Sequence, residues 1–287
     1  MRRRLTSAVC RFVSFARNDR LSGAAALVLV SLLLLSLVGP YLPLGDPEGI
    51  GAGPRLAPPS FEFPLGTDEL GRSYLPRAIQ GISATFLLAT TAVMVTAIIG
   101  GITGMLAAYK GGIFDGIIVR IADIFFAFPI ILTGLLVTAI LGPGTLSVLA
   151  VIASATLPMF IRLVRSVTLA IAKRGFVTAA EVAGASTTRV LFVHLLPNIM
   201  GATIIQLTYA ISIGMLIEGV LSFLGIGVQP PQASLGSLLR QGVLYLTVAP
   251  WMVFSSGFLL TLAILSINLL GDGLRDAIDP LRTRALQ

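Results

Sequence analysis

Residues 78–109 read AIQGISATFLLATTAVMVTAIIGGITGMLAAY, and from Ala78 to Tyr109 no side chain is charged. A membrane-spanning helix needs ~20 predominantly apolar residues, because where water is missing every backbone polar group must be satisfied inside the segment. This stretch is longer than that, so it has room to tilt or to begin outside the bilayer. The rest of the chain follows the same pattern. Of 287 residues 55% are apolar and 11% charged, too much apolar surface for one soluble core.

Gaps between charges therefore locate the spans. Working outward from the quoted stretch, six are expected: about 23–44, 82–109, 121–141, 145–164, 197–218 and 250–270. The third and fourth come from one charge-free window, Ile124 to Ile161, which Gly142-Pro143-Gly144 divides into a hairpin. Pro129 and Pro158 are candidate kinks. The window Gly219 to Leu239 is also uncharged, but Gly225, Gly227, Pro230-Pro231 and Gly236 predict an irregular loop that dips into the membrane or covers a cavity. The fold class is all-α, a polytopic membrane bundle of about six helices.

Charge placement orients this bundle. With the amino terminus inside, only Arg55, Arg72, Arg77 and Arg240 of the twenty Lys and Arg lie outside, and the positive-inside rule puts both termini in the cytoplasm. The net charge of +7 is then accounted for by cationic loops beside anionic lipid headgroups, with no nucleic-acid partner. Residues 1–22, with Val9, Phe12, Val13 and Ala16 at helical spacing among arginines, read as an amphipathic segment on the inner surface. The signal-peptide alternative is disfavoured, because the apolar run that follows is long and ends without a small-residue cleavage site. Residues 23–280 form the membrane domain and 281–287 a tail. Cys10 is the single cysteine and His194 the single histidine, which gives neither a disulfide nor a metal cluster or catalytic triad.

Two polar stretches stand out. Tyr41 to Gln80 is an outer loop rich in proline. The cytoplasmic connection, 165–196, is far longer than the two to eight residues a simple turn between helices uses, so it is expected to touch a partner. Ser166 to Ala172 and Phe176 to Ala183 read as short alanine-rich helices, with a second break at Gly184.

This loop reads Phe176-Val177-Thr178-Ala179-Ala180-Glu181-Val182-Ala183-Gly184-Ala185-Ser186, followed by His194-Leu195-Leu196-Pro197-Asn198. It resembles the Glu-Ala-Ala loop of the permease subunits of ABC importers, with Thr178 at the family's glutamate position and Glu181 where a basic residue is common. The resemblance implies that Phe176, Thr178, Ala179, Ala180, Glu181, Val182, Gly184, Ala185, Ser186 and the distant Pro197 form a coupling helix and its flank, seated on a cytoplasmic ATPase. The alternative is a surface helix without a partner. Three further segments, Pro64-Leu65-Gly66-Thr67-Asp68-Glu69-Leu70-Gly71-Arg72-Ser73, Leu221 to Pro231 and Asn268 to Pro280, are similar to those of dipeptide, oligopeptide and nickel permeases, C-type.

The resemblance implies the ABC type I importer permease fold, a B-type permease partner, two ATPase subunits that bind ATP and Mg, an extracytoplasmic substrate-binding protein, and a bacterial cytoplasmic membrane. Cargo is expected to be peptide, with nickel or another small solute as the alternative. This chain holds no cofactor of its own: its only lysines, Lys110 and Lys173, precede Gly111 and Arg174, so there is no Gly-Lys-Ser/Thr phosphate loop. An ion-coupled secondary transporter is the reading from another class, and it would want acids near the midplane or two similar halves.

Asp68, Arg72, Glu218, Ser222 and Gln229 are the candidates for an outer loop or gate. Glu218, the one acid within a predicted span, is expected near the outer edge of the hydrocarbon, either meeting cargo or gate or resting at the water boundary. Arg120 with Asp123, and Asp272 with Arg275, are one helical turn apart and are expected to pair at the inner boundary. Thr208 and Ser212 are polar residues that could line a path.

Overall fold

The computed structural model describes residues 20–278. The amphipathic segment expected over 1–22 falls almost wholly outside these residues, as does the 281–287 tail. All regular structure among the described residues is helical, apart from one isolated bridge between Thr67 and Ser73. Apart from short helical turns at Gly39–Tyr41, Thr187–Arg189 and Val190–Leu195, the helices among the described residues are α1 (Arg20–Val38), α2 (Tyr74–Lys110), α3 (Gly112–Ala127), α4 (Ile130–Leu141), α5 (Thr145–Ala172), α6 (Gly175–Val182), α7 (Leu196–Phe223), α8 (Leu235–Leu244) and α9 (Pro250–Ile278). Among the described residues, five helical stretches are long and apolar enough to cross a membrane, or six if α3 and α4 count as one broken span.

Helix α2 holds the quoted stretch and packs along α5. The contact is close because Gly100 and Gly104 face the α5 backbone: a Cβ on Gly104 would sit 2.6 Å from the Ile161 carbonyl oxygen, and one on Gly100 3.0 Å from that of Leu157. Small residues four apart let helix axes approach, which is the main source of packing energy where lipid is as apolar as the side chains. A hydrogen bond between Thr96 and Thr156 hydroxyls, 2.8 Å, ties the same pair. Around this seam Ala92, Val93, Val151, Ile152, Phe160 and Ala210 form one buried cluster, and Leu29, Leu32, Phe86, Met215, Ala263 and Ile267 a second that fastens α1 and α9.

Several boundaries differ from the sequence expectation. The third span is not one helix over 121–141: it breaks at Phe128-Pro129, where α3 and α4 meet at 93°. Proline lacks the amide hydrogen a helix needs and pushes the residue before it out of the helical region, and Phe128 is extended (φ −92°, ψ 127°). Pro158, by contrast, leaves α5 unbroken. The first span ends at Val38, before Gly39-Pro40, rather than at 44. The connection expected over 165–196 starts later, because α5 carries Ser166 to Ala172 as its last turns. Fifth-span helicity runs from Thr187 to Phe223, through a π-helical stretch at Val190–Leu195, instead of 197–218.

The window 219–239 is irregular only over 224–234. Gly236 does not interrupt a helix there: it opens α8, where its missing side chain lets the helix sit on the Gly219 carbonyl.

Candidate functional site

Two polar structures cap opposite ends of the bundle. At one end α6 stands off on the connection between α5 and α7. Its anchor is Val177, fully buried among Met105, Val164, Ile171, Val190, Leu191 and Leu195. Tyr109, at the end of α2, donates a 2.7 Å hydrogen bond to Glu181 Oε1. The rest of α6 faces outward: Phe176 is 41% exposed and Val182 84%, with Thr178 and Ala179 exposed beside them. The helix stops in a Schellman turn, in which the Gly184 amide donates to the Glu181 carbonyl and the Ala185 amide to that of Ala180. Gly184 has φ +80°, a conformation that costs any residue with a Cβ. Ser186 then caps the next turn, accepting from the Arg189 amide at 3.4 Å.

The expected coupling residues from Phe176 to Ser186 are thus gathered on one exposed helix and its cap, while Pro197 stands apart in the first turn of α7. Val177 and Tyr109 were not expected. An apolar residue among alanines gives no sign of which face is buried, and Tyr109 is distant in the chain.

At the other end the loop 42–73 folds over α2, α8 and α9. Asp68 is fully buried and accepts from the amides of Leu70 and Arg72 (2.9 Å each) and from Arg72 Nε (2.6 Å). Arg77 lies 3.4 Å from the same carboxylate and donates to the carbonyl of Pro47 and to Gln241 Oε1. One carboxylate thereby joins the loop to the start of α2 and, through Arg77, to α8. Gly66 and Gly71 adopt positive φ in the same segment, and Tyr74 OH donates to the Met252 carbonyl at 2.9 Å.

Glu218 makes a second clip. Its carboxylate is sealed from solvent, and it accepts from Thr85 Oγ1 (2.7 Å) and Ser222 Oγ (2.6 Å). Each hydroxyl also accepts a backbone amide: Thr85 from Leu235 at the start of α8, Ser222 from Val228. Gln229 donates to the carbonyls of Gly225 and Gly227. Glu218 therefore does not rest at a water boundary in this structure. With Asp68 and Arg72 it holds the cap together. A buried carboxylate is tolerated because its lone pairs are occupied by hydroxyl donors.

The ion pairs differ from those expected. Among the described residues, Arg120 does not pair with Asp123, nor Asp272 with Arg275. Instead Asp123 meets Arg162 at 2.5 Å, and Asp115 takes Arg165 through two bonds of 2.5 and 2.6 Å. Both pairs bind α3 to α5. Neighbours along one helix compete with partners across a helix contact, and here the arginines of α5 reach the acids of α3.

The bundle of apolar helices thus carries a stand-off helix at one end and a pinned cap at the other. The chain belongs to the family of binding-protein-dependent transport system inner membrane components, whose model matches residues 100–284. It is 38% identical to the Di/tripeptide transport system permease protein DppC of Pseudomonas aeruginosa (strain UCBPP-PA14), over 93% of this chain and 90% of that one. With the Dipeptide transport system permease protein DppC of Haemophilus influenzae (strain ATCC 51907 / DSM 11121 / KW20 / Rd) the identity is 33%, over 94% and 93%. In structure it resembles a chain of the MetNI methionine ABC transporter in inward-facing conformations, with a TM-score of 0.57 at 18% identity, covering 70% of this chain and 95% of that one.

Proposed function

We propose that this chain forms half of the translocation path of a bacterial peptide importer. A B-type permease supplies the other half, and an extracytoplasmic binding protein delivers cargo to the cap. Both termini and α6 lie in the cytoplasm. Two separate ATPase subunits bind ATP and Mg and grip α6 and its counterpart, so this chain carries out no catalysis itself. Closure of the ATPases moves α6, and α6 moves α2 and α7 through Val177 and the Tyr109–Glu181 bond. Peptide as cargo rests on the names of the relatives.

The observation that carries the reading is α6 itself: one buried side chain, one hydrogen bond to α2, and apolar residues turned outward. Apolar side chains exposed on a helix outside the spans mark an interaction surface. Val182→Asp, made with the partner subunits co-expressed, is expected to leave the chain inserted while the ATPases no longer co-purify with it. Undiminished co-purification and uptake would remove α6 as the docking element. An ion-coupled transporter working alone would keep its uptake in that variant.

A further inference from the structure

The Asn268 to Arg275 stretch takes no part in α6 or in the cap. It lies on α9 beside α7, joined by a 2.7 Å bond from Ser212 Oγ to Asn268 Oδ1 and by close approach of Gly271 to Thr208. Between the two helices is a pocket of about 200 Å³ whose polar lining is Gln206, Thr208, Tyr209, Asn268, Asp272 and Arg275. Tyr209, Asp272 and Arg275 are exposed. Among the described residues no ion pair joins the acid to the base, although they sit one turn apart on one helix.

Depth narrows the ligand. The run Pro250 to Gly271 carries no charge, and Asp272 opens the charged last turns of α9; charge is costly inside the hydrocarbon, so Asp272 and Arg275 stand at its inner end. The pocket is thus at headgroup level, at the α6 end of the bundle, which is the inner leaflet in the orientation proposed above.

Charge narrows it further. A guanidinium is a strong phosphate ligand, but an anionic headgroup seated on Arg275 would be repelled by Asp272. A headgroup bearing phosphate and ammonium together satisfies both, since side chains three apart on a helix are ~5–6 Å from each other at Cβ. A carboxylate only accepts hydrogen bonds, so a primary ammonium suits Asp272 better than a quaternary one. We propose that this pocket binds a zwitterionic lipid of the phosphatidylethanolamine type, phosphate on Arg275 and ammonium on Asp272.

The test uses the full importer in nanodiscs of phosphatidylethanolamine or phosphatidylcholine with matched acyl chains, each mixed with phosphatidylglycerol. Lipid retained after extraction is counted by native mass spectrometry. Wild type is expected to retain phosphatidylethanolamine over phosphatidylcholine by about tenfold, the size of one charge-assisted contact. Asp272→Asn should bring the two lipids close to parity, and Arg275→Gln should weaken retention of both. Monodisperse elution of both variants shows that they are folded, and the wild-type comparison needs no variant. Equal retention of the two lipids by wild type, or a preference unchanged by Asp272→Asn, overturns the proposal. So does displacement of the retained lipid by a dipeptide, which would assign the pocket to cargo.

Discussion

Glu218 shows how one side chain can organise a whole segment. Its two oxygens receive Thr85 and Ser222, and those hydroxyls in turn receive the amides of Leu235 and Val228, so residues 222–235 hang from one carboxylate. Removing a partner from a buried polar group costs about 1–3 kcal/mol per group left unsatisfied. Glu218→Ala is therefore expected to lower the thermal midpoint of the purified importer. Glu218→Gln, whose amide oxygen still accepts a hydroxyl, should lower it less. Equal midpoints for wild type and Glu218→Ala, followed by tryptophan fluorescence, would show that the clip bears no load.

Helix α6 depends on how it ends. A Cβ added to Gly184 would meet nothing within 4 Å, so space does not demand glycine there, but its φ of +80° does. An ordinary L residue in the left-handed region costs roughly 1–2 kcal/mol, and asparagine visits it more readily. Gly184→Val should fray the last turn and loosen the Schellman bonds, leaving insertion intact while ATP hydrolysis runs without matching uptake. Gly184→Asn should retain most coupling. The measurement is peptides transported per ATP hydrolysed in proteoliposomes. If valine and asparagine behave alike, the left-handed cap has no bearing on coupling.

Across the whole molecule the α2–α5 seam keeps the spans in register, and its glycines are not equivalent. Gly104 faces the Ile161 carbonyl, an atom of backbone that cannot turn aside, whereas a Cβ on Gly101 would meet nothing within 4 Å. Overpacking a tight contact costs about 1–3 kcal/mol. Gly104→Ile is expected to reduce the yield of folded, monodisperse importer, and Gly101→Ala to leave it unchanged. Equal yields from these two variants would mean that the seam can part freely.

Taken by itself, the sequence determined that the chain is a membrane bundle and that its α5–α7 connection carries a short helix closed by glycine. Both follow from local physics. The cost of unsatisfied backbone in lipid accumulates along an uncharged run such as Ala78 to Tyr109, and a left-handed helix end needs Gly184 whatever surrounds it. Tertiary structure decided the rest. Arg162 and Arg165 take Asp123 and Asp115 because α3 and α5 touch there, and Glu218 is buried because α8 and the loop before it close over it. Phe128-Pro129 becomes a right-angled elbow, while Pro158 lies inside a continuous helix; proline permits a break, and packing decides whether the chain takes it. Val177 is the anchor of α6 because Leu191 and Met105 meet it from parts of the chain that its neighbours in sequence do not foretell. Pair contacts across helices depend on which faces meet, and that information is held by the assembled bundle, not by any one window of the chain.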